Sequence, residues 1–263
     1  VSAGSVSTCA WNGSGDVTCW GGNAAGGIGD GTTMDRLGPT PTAVSLHASG
    51  VAVGRGFACS TAAGASPSCW GFNMYGQIGD GSTTDRHAPT ALALTDVTQV
   101  SAGYGHACAI ESRGSAECWG WNVLGQLGDS TTIDRHSPVG VVGIADASEI
   151  AVGGSHTCAL RTGGGVVCWG GNANGQLGDG STASHTRPVA VVGISDAVQV
   201  SADGEFACAR RSGGQVVCWG LNFHGQLGDG TMSDRSSPVA VVGLTDAVAM
   251  DTGLEHACAV RRG

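Results

Sequence analysis

Short runs in which apolar and polar residues alternate at every second position, separated by glycine-rich turns, make up most of this chain. Residues 188 to 220 show the unit: Pro-Val-Ala-Val-Val-Gly and Asp-Ala-Val-Gln-Val-Ser-Ala alternate with period two, then Phe-Ala-Cys-Ala-Arg-Arg and Gln-Val-Val-Cys-Trp-Gly follow with glycines between them. Alternation over a few residues bounded by turn residues predicts strands whose two faces meet different surroundings. The four runs read as four antiparallel strands of one sheet, the last two forming a hairpin. The glycine-rich string after each tryptophan, Gly-x-Asn-x-x-Gly-Gln-Leu-Gly-Asp-Gly, reads as the connector to the next sheet. Around it, Asp30, Asp35 and Arg36, and their counterparts Asp80, Asp85 and Arg86, Asp129, Asp134 and Arg135, and Asp229, Asp234 and Arg235, are expected to bond to backbone amides and to each other.

This unit recurs. Its marker is the Cys-Trp-Gly step at Cys19–Trp20, Cys69–Trp70, Cys118–Trp119, Cys168–Trp169 and Cys218–Trp219, so the tryptophans fall at intervals of 50, 49, 50 and 50. A unit of that size cannot bury its own apolar faces and must stack on copies of itself. The predicted fold is therefore all-β: a β-propeller of four-stranded blades in one repeat domain over 1–263, with repeats at 1–50, 51–99, 100–149, 150–199 and 200–249 and a partial one at 250–263.

Composition adds two exclusions. The 47 glycines among 263 residues and the 5% aromatic content fit short strands and tight turns, not helices. No run approaches the roughly 18 apolar residues of a membrane-spanning helix, so no membrane insertion is expected. The chain begins at Val1 without a charged-then-apolar leader, and any signal peptide is expected to have been removed. Net charge is −9, and all 12 basic residues are arginine. Without a basic stripe to neutralise phosphates, a nucleic-acid partner is not expected.

The 11 cysteines carry the strongest chemistry. They form the pairs Cys9/Cys19, Cys59/Cys69, Cys108/Cys118, Cys158/Cys168 and Cys208/Cys218, with Cys258 unpaired. Folding residues 158–168 about Gly163 sets Ala159 opposite Val167 and Cys158 opposite Cys168. At a non-hydrogen-bonded position such residues have Cα atoms roughly 4.5–5.5 Å apart, within disulfide range. Five intra-hairpin disulfides are predicted, each stabilising its loop by roughly 2–3 kcal/mol on the chain-entropy model. The competing reading, free cysteines acting as small buried hydrophobes, explains single residues better than five facing pairs. Disulfides of this kind place the protein in an extracellular or cell-surface setting.

The strings Cys-Trp-Gly-Phe-Asn-Met-Tyr-Gly-Gln-Ile-Gly-Asp-Gly from Cys69, Cys-Trp-Gly-Trp-Asn-Val-Leu-Gly-Gln-Leu-Gly-Asp from Cys118, and Cys-Trp-Gly-Leu-Asn-Phe-His-Gly-Gln-Leu-Gly-Asp-Gly from Cys218 resemble repeats of the regulator of chromosome condensation family. The resemblance covers essentially the whole chain and implies a β-propeller, seven-bladed in the best-known members, whose founding activity is nucleotide exchange on a nuclear GTPase bound to chromatin. An acidic, lysine-free chain with paired cysteines departs from that nuclear pattern. It is more similar to bacterial extracellular members, and its general plan resembles a secreted propeller that inhibits β-lactamases; that inhibitor lacks the cysteine pairs, so its target does not carry over.

By this strand grouping Val1–Gly21 supplies two strands of a blade, and residues from Pro238 supply two and then a third bearing Cys258. A piece of a larger propeller or array accommodates that leftover strand; a closed five-bladed ring is the alternative.

Residues just before the first cysteine and just after the second share one end of each hairpin, and they vary most between repeats. The first set includes Arg55, Tyr104 and the pair Gly204-Glu205. The second gives Phe72, Met74, Tyr75, Trp121, Val123, Leu124, Leu221, Phe223 and His224. Loops on one face of a repeat array commonly bind, and aromatics, Met and Arg are enriched in the cores of protein interfaces. These residues are the candidate binding face; the competing reading is that they fill gaps between blades or between chains of an assembly. His106, His156 and His256 precede cysteines at a place also held by Phe57, Phe206 and Ser7, so the position asks for bulk more than ionisation. The Asp-rich strings offer calcium-type oxygen ligands but lack the ligand density of a dedicated loop, and the fourth repeat substitutes Ser184 and His185 there. No metal or cofactor and no catalytic set is expected. The chain reads as a non-enzymatic recognition propeller for a protein partner; a structural element that self-assembles, or a carbohydrate-binding propeller stacking aromatic rings on a glycan, are the alternatives.

Overall fold

The computed structural model describes residues 1–62 and 64–262; Ala63 and Gly263, the last residue of the partial sixth repeat, lie outside the described residues. Every regular element among them is a strand. The first sheet comprises β1 (Ser2–Ala3), β2 (Ser7–Trp11), β3 (Val17–Gly21) and β4 (Arg36–Pro41), and the second β5 (Ala48–Val53), β6 (Phe57–Ala62), β7 (Ala65–Gly71) and β8 (Arg86–Ala91). The third has β9 (Val97–Ala102), β10 (His106–Glu111), β11 (Ser115–Gly120) and β12 (Arg135–Ala145). The fourth has β13 (Ala147–Val152), β14 (His156–Arg161), β15 (Val166–Gly170) and β16 (His185–Ala190), and the fifth β17 (Ala197–Asp203), β18 (Phe206–Arg211), β19 (Val216–Gly220) and β20 (Arg235–Ala240). A two-stranded sheet follows, β21 (Ala247–Thr252) with β22 (Ala257–Arg261). In every sheet the strands lie side by side in chain order, the arrangement of a propeller blade.

Two expectations are corrected here. The Pro-Val-Ala-Val-Val-Gly run does not open a blade: it lies partly in β16, which closes the preceding sheet by pairing Val167 with Ala190 and Cys168 with Val189. The string after each tryptophan is accordingly no connector between blades but the return from the third strand to the fourth of the same blade. Its fold explains why. Asn222 is fully buried; its Oδ1 accepts from the Leu227 amide at 3.0 Å and its Nδ2 donates to the Thr231 and Ser233 carbonyls. Asp234 Oδ1 accepts from the Asn222 amide at 2.8 Å, which brings Arg235 back beside Gly220. The second correction follows from the first. Ser2 and Ala3 pair with Cys9 and Thr8, so Val1–Gly21 supplies three strands, and the first sheet draws all four from Ser2–Pro41.

The hairpins match the predicted register. Cys158 faces Cys168 and Ala159 faces Val167, and all five predicted disulfides are present with Cα atoms 4.0–4.1 Å apart, closer than expected for an antiparallel pair. The expected Asp–Arg bonds are also there, with Asp30–Arg36 and Asp80–Arg86 at 2.5 Å and Asp229–Arg235 at 2.7 Å. Burial pushes the Asp229 carboxyl up, but the Thr231 hydroxyl, the Arg235 guanidinium and the Thr231 amide together hold it down at about 2.

The chain packs as two compact units, Val1–Asn122 with Ile133–Gly140, and Val123–Thr132 with Val141–Gly263. In the first, Trp70 Nε1 donates to the Gly27 carbonyl at 3.0 Å and Trp119 Nε1 to that of Gln77 at 2.8 Å; in the second, Trp169 and Trp219 donate to Gln126 and Gln176, each at 2.9 Å. Each indole is fully buried on the glycine-rich return of the preceding repeat. Here the glycines are sterically required: a Cβ on Gly29, Gly79, Gly128 or Gly178 would lie 2.7–2.8 Å from the indole.

Candidate functional site

In the first unit the turns between first and second strands, and the returns after third strands, lie together at one end. Backbone bonds tie them: Phe72 donates to the Gly56 carbonyl at 2.9 Å, Trp121 to that of Gly105 at 2.8 Å, and Arg55 to that of Gly103 at 3.0 Å. Tyr75 is fixed by its amide, which donates to Gln77 Oε1 at 2.9 Å. A row of rings results. Phe72 and Tyr75 meet edge to face at 6.3 Å, and Tyr75 and Trp121 lie 5.9 Å apart at 38°. Gly105 forms the floor, since a Cβ there would come within 3.3 Å of both Trp121 and Tyr75. Beside the row, the exposed Arg55 guanidinium lies 5.5 Å from the centre of the Tyr104 ring. The four rings are half-buried, and Met74 stands 61% exposed next to them.

The remaining candidates belong to the second unit. Val123 and Leu124 are 50% and 38% exposed. Leu221 donates its amide to the Glu205 carbonyl at 2.9 Å, and Phe223, 70% exposed, meets the His224 ring edge-on at 5.0 Å. His224 Nε2 lies 3.6 Å from Glu255 Oε2. The structure thus divides the sequence-derived set into an aromatic row with an arginine in one unit and a more scattered apolar group in the other.

Sequence reading singled out Glu205 only as a variable residue, and it missed the acidic side chains around it. Glu205 Oε2 accepts from Ser155 Oγ at 2.7 Å and from Gln176 Nε2; burial raises its pKa and these two bonds oppose the rise. Glu149 accepts from the Val200 amide at 2.8 Å, and Ser201 Oγ donates to Asp251 at 3.0 Å. Burial raises Glu149 and Asp203 too, with the Asp251 charge adding to both. The signal available in the sequence was the recurrence of acids at matched positions, Glu205 with Glu255 and Asp203 near Asp251, but only the stacking of β17 on β13 and β21 brings these strands together.

The histidine position behaves as a space-filling one. His106 and His156 are fully buried, as are Phe57 and Phe206 at the same place in other repeats. His156 lies against Gly153, and its pKa falls to about 3 because burial excludes the charged form. Among the described residues no group of three or more His, Cys, Asp or Glu side chains could hold a metal.

The regulator of chromosome condensation (RCC1) repeat model matches residues 69–110, 114–160, 163–210 and 213–260, and a second model of that description matches 97–126, 147–176 and 197–226. Among solved structures, human WBSCR16 superposes with a TM-score of 0.87 at 22% identity, covering 98% of this chain and 72% of that one. Yeast RCC1 (Prp20), crystallised with Kap60, gives 0.87 at 18% identity over 99% and 67%, and Prp20p from Saccharomyces cerevisiae, studied for its binding to Gsp1p and histones, gives 0.86 at 19% over 99% and 69%. A comparison with curated proteins finds no significant match.

Proposed function

Because this chain belongs to the regulator of chromosome condensation (RCC1) repeat family, whose propellers serve protein interaction, we propose that it is a non-enzymatic recognition module of an extracellular or cell-surface setting that binds a protein partner through the loop end of its blades. The observation that carries this reading is the Phe72–Tyr75–Trp121 row with Arg55 over Tyr104. Half-buried rings held by backbone bonds lose little conformational freedom when a partner covers them, and such anchors dominate binding energies. The five disulfides support the oxidising setting. Prp20 engages Kap60, Gsp1p and histones, but at 18–19% identity those partners do not transfer to this acidic chain.

A photo-crosslinking residue at Met74 tests the proposal, presented to the secreted and surface proteins of the source organism. A protein adduct that disappears in Tyr75→Ala/Trp121→Ala, with an unchanged Tm, is expected. An adduct that survives both substitutions, or that forms equally from a crosslinker at the exposed Val44, refutes it. An adduct only with other copies of the chain would replace recognition by self-assembly.

A further inference from the structure

The fold does not require the rings of the Phe72–Tyr75–Trp121 row. Phe72 and Trp121 occupy the place held by Gly22 in the first repeat and Gly171 in the fourth. Glycine makes the same backbone bond there, Gly22 to the Val6 carbonyl and Gly171 to that of Ser155, each at 2.8 Å. Arg55 and Tyr104 likewise stand where later repeats have Gly154 and Gly204. Repeats two and three, which bear the rings, are flanked in the chain on both sides by further repeats. Side chains that stacking does not demand, gathered in two adjoining repeats, are the mark of a surface shaped for something outside the array.

Spacing and charge narrow what that is. Successive ring centres lie 6.3 and 5.9 Å apart, and residues i and i+2 of an extended chain, which share one face, are about 6.6 Å apart. Alternate side chains of an extended segment therefore meet successive rings. The guanidinium beside the row is uncommitted. Six other arginines lie 2.5–2.8 Å from aspartates, whereas Arg55 is exposed, forms no ion pair and is held only over the Tyr104 ring. The acids of the adjoining return are already engaged, Asp80 by Ser82 and Arg86, and Asp85 by the Asn73 amide. A guanidinium stacked on a ring keeps its N–H groups at its edge, where they can donate to both oxygens of a carboxylate.

We infer that the row takes an extended segment of the partner protein, in which two apolar residues at i and i+2 lie against the rings and a neighbouring Asp or Glu accepts from Arg55. This rests on the protein-recognition reading above and names the chemistry that is recognised. In a chain of net charge −9 a carboxylate is repelled by the surplus acids, so the unpaired Arg55 sets the segment's register.

Short random peptides displayed on phage, panned against the intact protein with Tyr75→Ala/Trp121→Ala as counter-selection, test this. Enriched peptides should carry the apolar-x-apolar pattern beside an acidic residue. For one such synthetic peptide, Arg55→Gln should weaken binding about tenfold, with an unchanged Tm, and changing the peptide's acid to its amide should weaken it by the same factor. The two changes together should cost little more than either, since one ion pair is lost only once. Losses that multiply would place the carboxylate elsewhere and overturn the pairing. Enriched peptides that are neutral or basic, yet lost in Tyr75→Ala/Trp121→Ala, overturn the acidic chemistry and leave protein recognition standing. If no peptide is enriched over the double variant, the segment site is overturned, and crosslinking from Met74 judges the recognition reading by itself. Binding of oligogalacturonate that depends on Tyr75 and Trp121, with no peptide enriched, overturns both in favour of a glycan.

Discussion

His156 offers a quantitative test of how the repeats are packed. Its ring is fully buried, no protein group bonds either nitrogen, and burial lowers its pKa from 6.5 to about 3. The folded protein therefore keeps this imidazole neutral at a pH where the unfolded chain protonates it. More protons bind to the unfolded state between the two values, so stability falls as pH drops below 6.5, by about 1.4 kcal/mol per unit, until about pH 3. Between pH 7 and pH 5 the loss from this residue amounts to about 2 kcal/mol. His156→Phe removes it. Phenylalanine fits, because Phe57 lies over Gly54 as His156 lies over Gly153. The variant should gain about 1–3 kcal/mol at pH 7 from eliminating unpaired buried nitrogens, and about 2 kcal/mol more relative to wild type at pH 5. Urea unfolding with disulfides intact, at both pH values, measures this directly. Because other titrating groups act in both proteins, the difference isolates position 156. If wild type and variant lost the same stability between pH 7 and pH 5, the buried neutral histidine would be refuted.

Two further outcomes follow from the packing. Replacing both Cys158 and Cys168 by alanine opens a loop of sequence separation 10 and should cost about 3 kcal/mol in urea unfolding. Gly178→Ala combines a φ of +65° with a Cβ 2.8 Å from Trp219, and should lose about 2–4 kcal/mol by the same assay while Gly213→Ala, where a Cβ meets nothing within 4 Å, loses little.

Hairpins and disulfides were legible because both depend on residues ten positions apart, and a turn at Gly163 leaves Cys158 only one place to go. The grouping of strands into blades was not. The run at Pro188 sits next in sequence to the run at Ala197, and alternation is indifferent to which neighbour a strand pairs with. What decides is the fold of the return around a buried asparagine, for which Asn222 holds the loop at Leu227, Thr231 and Ser233. Repetition exposed that loop's importance but not its direction. The aromatic row was half legible: Tyr75 and Trp121 could be placed at one end by hairpin geometry, while the part of Gly105 as a floor and the burial of Glu205 arise only when separate blades stack.

The indole contacts give the array a direction. Gly27 waits for Trp70, Gln77 for Trp119, Gln126 for Trp169 and Gln176 for Trp219, so in every case the earlier segment is sealed by a later one about forty-three residues downstream. A ribosome delivers these segments in that same order. Each hairpin, on reaching an oxidising compartment in that order, can close its own disulfide and then cap the loop left open behind it, so that a chain folding from its first repeat onward holds one unsealed return at a time.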